Sequence, residues 1–444
     1  MILQNTKMNK KQFAKHRQQL MAMMGPNSIA VLPNAPVATR NRDIDFTHRS
    51  DSNFYYLSGF EEPESVIVIV PGRLQGEYIL FCRERDLKKE IWNGYRAGQE
   101  GAVQLYGADD SYPISDLDDI LLGLMEDKEQ VFYTMGNQPS FDQRIVGWMN
   151  HLRKAARQGK HSPTEIIELE HCLNELRLFK SSAEIKAMRT AAEISVQAHI
   201  RAMQFTQVGD WEYQVEAEII HEFMKNDCRS PAYPSIVGGG ENGCILHYVE
   251  NNHRLKNNDL LLIDAGAEYK NYAADITRTF PVNGKFTPAQ KALYNVVLAA
   301  QKAAIDEVKP GNHWNQAHEA AVRVLTTGLL ELGLLEGDLE TLIADGQYRE
   351  FYMHRTGHWL GMDVHDVGDY KVGGEWRVLE PGMVMTVEPG LYIRDPDTIA
   401  KKWHFIGIRI EDDVLVTKTG NDVLTKGAPK EVDEIEALMA AASH

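Results

Sequence analysis

Residues 260–280, LLLIDAGAEYKNYAADITRTF, set two apolar, β-rich arms around a polar middle, the pattern of a β-hairpin. With Tyr269-Lys270 as the two-residue turn, Asp264 and Asp275 face each other across the strands. Directly opposed residues have Cβ atoms about 4.5 to 5.5 Å apart, and like charges that close destabilise a strand pair. A fold that keeps this hairpin must release one aspartate to a turn and the other to solvent, or place a cation between them. On this segment alone both solutions stand open.

The chain around the hairpin has ordinary globular composition, 43% hydrophobic and 25% charged, which excludes a largely disordered or low-complexity protein. At about 150 residues per domain, 444 residues allow up to three domains. The pattern changes near residue 176. Residues 1–176 mix strand-like SVIVIVPG (65–72) and EYILFC (77–82) with helical stretches, as in an α/β domain. Residues 177–444 read differently. Ser181-Ser182-Ala183-Glu184 is a capping box opening a helix to Met203, and a second helix runs from about Asp210 to Met224. Strands follow between Tyr233 and Pro281. A second capping box, Thr287-Pro288-Ala289-Gln290, opens a helix to about Val308, with another over roughly Trp314 to Leu334. Strands return at Val384–Glu388 and Phe405–Val416. Two helices then strands, twice over, imply an α+β domain of two similar halves.

Charge and punctuation narrow the function. Lys plus Arg number 47 and Asp plus Glu 63, so the net charge of −16 excludes nucleic acid as the main partner and favours a cationic or zwitterionic substrate. Cys82, Cys172, Cys228 and Cys244 form no CxxC pair and no disulfide framework, which points to a reducing compartment, the cytoplasm. The amino-terminal MILQNTKMNKKQFAKHRQQLMAMMGPNS lacks the apolar run of a secretory signal and reads as a first helix stopped by Gly25-Pro26. No apolar run approaches the ~20 residues of a membrane span. There is no GxxxxGK[ST] loop and no GxSxG elbow, and His221-Glu222 and His318-Glu319 lack the second histidine of a zincin helix.

Three further segments carry the metal argument. HRTGHWLGMDVHD (354–366) places His354, His358 and His365 among glycines, as a loop or irregular strand. MVMTVEPGLY (383–392) ends an apolar run at Glu388, just before Pro389-Gly390. In FIGIRIED (405–412), alternation puts Arg409 and Glu411 on one face and Ile406, Ile408 and Ile410 on the other. An acid and a base inside such a strand are costly unless paired or bound to metal.

Asp264, Asp275, His358, Glu388 and Glu411, in this order and these contexts, resemble the dinuclear metal site of the M24 "pita-bread" peptidases: aminopeptidase P, prolidase and methionine aminopeptidase. HRSDSNFYYLSGF (48–60) and the first ~175 residues look like the extra domain of the aminopeptidase P and prolidase branches, and bacterial aminopeptidase P is the nearest likeness. The resemblance implies a curved, mainly antiparallel sheet covered by helices. It implies Asp275 and Glu411 bridging two cations, with Asp264, His358 and Glu388 completing their coordination, a bridging hydroxide as nucleophile and Glu388 as proton acceptor. It further implies His247, His354 and His365 lining the pocket, Arg409 orienting the carboxylates, and Trp92 reaching a neighbouring subunit's active site in a homo-oligomer, a dimer or tetramer. Four carboxylates and one imidazole are a hard donor set that suits Mn2+, and also Co2+, Fe2+ or Zn2+. The expected reaction is hydrolysis of the bond between an amino-terminal residue and a following proline. That bond lacks an N–H, and proline's fixed φ keeps such peptides out of ordinary aminopeptidase sites. Prolidase shares the ligands but takes dipeptides. A catalytically inactive binding module would have lost some of them, and all five are present.

Overall fold

The structure, a computed structural model, describes residues 10–394 and 399–442. The first nine residues of the amino-terminal stretch lie outside that range; from Lys10 the expected first helix runs to Met24, and Gly25, at φ 81°, ends it. The chain divides into two compact units between Leu176 and Arg177.

The first unit is built on a six-stranded sheet in the spatial order Asp110–Pro113, Tyr78–Cys82, Val66–Ile69, Ser28–Pro33, Gln130–Phe132, Glu165–Ile167. The central three strands are antiparallel to one another and the outer pairings are parallel. VIVI and YILFC are buried at every position, as strands covered on both faces must be. Val31, Val68 and Phe81 pack with Leu121, Ile145 and Trp148 from the helices Leu117–Met125 and Pro139–Lys154.

The second unit repeats one plan. Helices Ser182–Phe205 and Glu212–Lys225 form one pair, Pro288–Glu307 and Asn315–Glu331 another. Both expected capping boxes are made, by Ser181 with Glu184 and by Thr287 with Gln290. The first half holds an antiparallel sheet in the order Thr277–Pro281, Leu260–Asp264, Ile236–Gly239, and the second half one in the order Val384–Val387, Asp412–Val416, Asn421–Val423. The helices share a single core with the strands, in which Ala198, Ile219, Val297 and Leu325 meet Leu261, Ile263, Phe280, Ile408 and Ile410. Alternation then decides the other face. Burying Ile263 and Ile408 beneath helices turns Asp264 and Arg409 the opposite way.

Two expectations need correction. The hairpin turn is Lys270-Asn271, one residue later than expected, and Asp264 therefore pairs with Thr277 rather than Asp275. Both turn residues have positive φ, 52° and 62°, which a tight two-residue turn demands and Asn tolerates; Tyr269 stays in the ladder opposite Tyr272. Asp275 becomes a diagonal neighbour of Asp264 on the same face, still within side-chain reach. The expected continuous strand Phe405–Val416 is two strands, Ile406–Arg409 paired with Gly390–Ile393 and Asp412–Val416 paired with Val384–Val387. At the crossing, the Glu411 N–H donates to the Thr277 carbonyl at 3.1 Å, so Glu411 lies beside the first hairpin.

Candidate active site

A cleft of about 420 Å3 in the second unit is lined by Asp264, Asp275, His358, Glu388 and Glu411 together with His247, His354, His365 and Arg409. Ligating atoms of Asp275, His358 and Glu411 all lie within 4.8 Å of one another. His358 Nε2 is 3.4 Å from Asp275 Oδ2 and 3.5 Å from Glu388 Oε1. Asp264 joins through Tyr233, whose hydroxyl donates to Asp264 Oδ1 at 2.7 Å and also lies against Asp275 Oδ1.

Each donor is held from behind. His358 Nδ1 donates to its neighbour's carbonyl, Trp359 O, at 3.0 Å, which leaves Nε2 as the atom that could coordinate a cation. Its backbone N–H donates to Thr386 Oγ1 at 3.0 Å, and Glu388 Oε1 accepts the Thr386 hydroxyl at 3.2 Å. A Cβ at Gly357 would collide with the Thr386 carbonyl oxygen, so only glycine lets this segment lie so close to the strand. Glu411 Oε2 accepts the Thr277 hydroxyl at 2.6 Å. The Asp275 N–H points at both carboxylate oxygens of buried Asp413, each at 3.2 Å. Arg409 spreads its fork over three partners, Thr277 Oγ1 at 3.0 Å, Tyr392 Oη at 3.0 Å and Asp264 Oδ2 at 2.6 Å.

The histidines differ in their freedom. His354 has both ring nitrogens engaged, Nδ1 donating to Arg355 O at 2.7 Å and Nε2 accepting from the Tyr392 hydroxyl at 2.8 Å. Burial, then the charge of Arg409, pushes it down to about 3, so it is neutral at working pH. His365 packs edge-on against the His358 ring at 4.4 Å, and burial lowers its pKa too. His247 lines the same cleft. Trp92 belongs to the first unit, on the helix Leu87–Asn93, and is 86% exposed.

Tyr233, Thr277, Thr386, Tyr392 and Asp413 are site residues that the sequence reading missed. Thr277 and Thr386 had a signal: two residues from Asp275 and Glu388 in extended segments, each shares its acid's face.

The donor set fits divalent cations on its own chemistry. Burial, with His358 and Arg409 opposing and Asp275 and Asp264 reinforcing, pushes Glu388 up to about 7. Glu411 is raised further by burial and the neighbouring acids. Burial lowers His358, but Asp275 and Glu388 outweigh it and hold the imidazole at about 9. These acids are uncomfortable without positive charge. In the metal-free protein both Glu388 and His358 therefore keep protons that the unfolded chain has already released. Stability then falls as pH rises from about 4.5 to about 9, the window between the ordinary glutamate value and the raised imidazole. A cation replaces those protons, so it binds more tightly as pH rises. The gain in melting temperature on adding Mn2+ to chelator-treated protein is expected to be larger at pH 8.5 than at pH 5.5, by about 3 °C or more, since each displaced proton contributes up to ~1.4 kcal/mol per pH unit. A gain independent of pH would contradict this.

Residues 186–418 match the profile of metallopeptidase family M24. The chain belongs to that family. Residues 13–133 of this M24 protein match the aminopeptidase P N-terminal domain. It is 44% identical over 438 residues to the Xaa-Pro aminopeptidase of Escherichia coli strain K12, spanning 98% of this chain and 99% of that relative. Among solved structures, an aminopeptidase of Pseudomonas aeruginosa superposes with a TM-score of 0.98 at 59% identity, covering 99% of each chain. Zinc-substituted E. coli aminopeptidase P in complex with product gives 0.96 at 44% identity, covering 99% of this chain and 100% of that one. The fold is thus the M24 pita-bread domain preceded by an aminopeptidase P N-terminal domain.

Proposed function

We propose that this protein is an Xaa-Pro aminopeptidase, which removes the amino-terminal residue from peptides with proline in second position, and that Asp264, Asp275, His358, Glu388 and Glu411 hold two divalent cations, Mn2+ in the cell. The observation that carries the reading is the convergence of Asp275, His358 and Glu411 within 4.8 Å on the wall of a cleft, in a chain similar end to end to an Xaa-Pro aminopeptidase. When bound, the cations supply Lewis-acid polarisation of the scissile carbonyl and an acidified water.

The chain's own residues do the rest. Asp264 Oδ2, oriented by Arg409, offers a negative partner to the peptide's free α-amino group. Glu388, whose Oε1 lies 3.5 Å from His358 Nε2 on the wall of the cleft, would accept the proton from the attacking water. His247 and His365 line the cleft where the carbonyl oxygen gains charge and can donate hydrogen bonds to it. His354, locked by Tyr392 and its own backbone, offers a fixed, uncharged wall for the proline ring. The four cysteines are unpaired and buried, which supports a reducing, cytoplasmic setting. No described helix is long and apolar enough to cross a membrane. Leu87, Ile91, Trp92 and Tyr95 form an exposed apolar face that supports self-association, with Trp92 serving a neighbouring subunit.

The test compares an Xaa-Pro dipeptide with an Xaa-Pro-Xaa tripeptide, using Mn2+-loaded enzyme. Preference for the tripeptide is expected. Preference for the dipeptide would turn the assignment to prolidase, which the names of the relatives do not favour, and cleavage of neither would leave a binding module.

A further inference from the structure

A second cavity, of about 890 Å3, adjoins the cleft and has no part in the chemistry above. Helix Asn315–Glu331 contributes His318, Glu319 and Arg323 to its lining, and the segment entering the site contributes Arg349, His354 and Arg355. His354 and Arg355 line both spaces, so the two adjoin at that point.

The charges of this cavity are not balanced. Arg323 is taken up by Glu340, at 2.6 and 3.1 Å. Arg355 donates only to a neutral amide oxygen, Asn315 Oδ1 at 3.0 Å, and lies over the rings of Trp314 and Trp376 at 5.9 and 5.1 Å. Arg349 rests against the Tyr348 ring at 5.9 Å. Among the described residues neither Arg349 nor Arg355 has a carboxylate partner, on a chain with 63 acidic residues against 47 basic ones. Glu319 is the acid that shares the cavity, and its Oε1 accepts the Asn315 amide at 2.6 Å. Arg349 and Arg355 both line this cavity with His318, and burial, then their charges, pushes the imidazole down to about 4. His318 is neutral there and adds no positive charge of its own.

We propose that Arg349 and Arg355 form a binding site for a carboxylate carried by the peptide downstream of the scissile bond. The proposal rests on the aminopeptidase reading. With the α-amino group at Asp264 and the proline beside His354, the next residues of the peptide come beside Arg355, which lines both the cleft and this cavity. A guanidinium fork matches a carboxylate in two parallel hydrogen bonds, and Arg355, already fixed by Asn315 and two indoles, loses little freedom on binding. The carboxylate has two possible sources, the carboxy terminus of a short peptide or an acidic side chain at the third or fourth residue.

The experiment measures kcat/KM of Mn2+-loaded enzyme on Ala-Pro-Ala, Ala-Pro-Ala amide, Ala-Pro-Asp amide and Ala-Pro-Ala-Asp amide. At least one carboxylate-bearing peptide is expected to exceed the neutral amide by about three- to tenfold, carried by KM, the range for a partly solvated charge pair. An advantage of Ala-Pro-Ala identifies the terminus as the source; an advantage of an aspartyl amide identifies the side chain. In the doubly substituted Arg349→Gln, Arg355→Gln enzyme that ratio is expected to fall to about one, and in Arg349→Glu, Arg355→Glu enzyme Ala-Pro-Lys amide is expected to overtake the acidic peptides. Both side chains are exposed, so the variants fold. Equal kcat/KM for all four peptides in the unmodified enzyme, or a preference that survives in the double variant, overturns the carboxylate site alone. Failure to cleave any of the four refutes the aminopeptidase reading and this inference with it.

Discussion

Replacing Asp275 by Asn is expected to lower kcat/KM by about 10^4-fold and to empty the site of metal, while the protein stays folded. The aspartate is 4% exposed and its two oxygens face different partners, Oδ1 the Tyr233 hydroxyl and Oδ2 the His358 ring at 3.4 Å. An amide keeps one acceptor but turns an N–H2 group toward the other partner, and it brings no charge, so it would be a far weaker ligand for a divalent cation. The fold has no reason to fail. Asn has the same shape, the backbone N–H still reaches Asp413, and in the metal-free state the substitution removes one of several crowded buried acids. Elemental analysis after reconstitution with Mn2+ and the melting temperature with and without the ion separate the outcomes. Metal near wild-type content together with full turnover would remove Asp275 from the site; loss of folding would make it a structural residue instead.

What was legible in the sequence follows how local the signals are. Ser181 and Thr287 announced their helices because a capping box is complete within four residues, and both boxes form. Ile406, Ile408 and Ile410 predicted a buried face, and with it the direction of Arg409 and Glu411, because strand alternation is a property of the chain itself. The turn at Lys270-Asn271 was missed by one residue because the apolar and polar pattern brackets a turn without fixing its register; the positive φ that Asn tolerates decided it. Residues that act across the fold left no local trace. Tyr233 sits in an unremarkable loop, and only folding sets its hydroxyl between Asp264 and Asp275. Asp413 is the acceptor for the Asp275 backbone N–H, a contact between segments far apart in the chain. The five proposed ligands were picked out from their surrounding motifs as much as from their chemistry.

Arg278→Met is expected to destabilise the second unit by about 3 to 5 kcal/mol, the usual result of removing one partner of a buried ion pair. Arg278 and Asp412 are both fully buried, and the guanidinium Nη2 meets Asp412 Oδ1 at 2.8 Å. The same guanidinium donates to the carbonyls of Glu411 at 2.6 Å, Pro429 at 3.0 Å and Ala428 at 3.0 Å, tying the strand beneath the site to the segment before the last helix. Methionine fills similar volume and makes none of these bonds, so buried carbonyls lose their donors. Asp412 keeps Lys430 at 2.6 Å and Gln301 at 2.7 Å, which limits the loss. Because each single variant already breaks the pair, adding Asp412→Leu is expected to cost less in the Arg278→Met background than it does alone; a double-mutant cycle measures that coupling. Urea unfolding followed by tryptophan fluorescence reports on this unit, where Trp314, Trp359 and Trp376 pack together. A double variant whose loss equals the sum of the two single losses would mean that the pair is not coupled by charge, and that Arg278 holds the fold through its carbonyl bonds alone. Because one of those carbonyls belongs to Glu411, the same single variant is expected to weaken Mn2+ binding, whereas a defect confined to stability would detach the ion pair from the site above it.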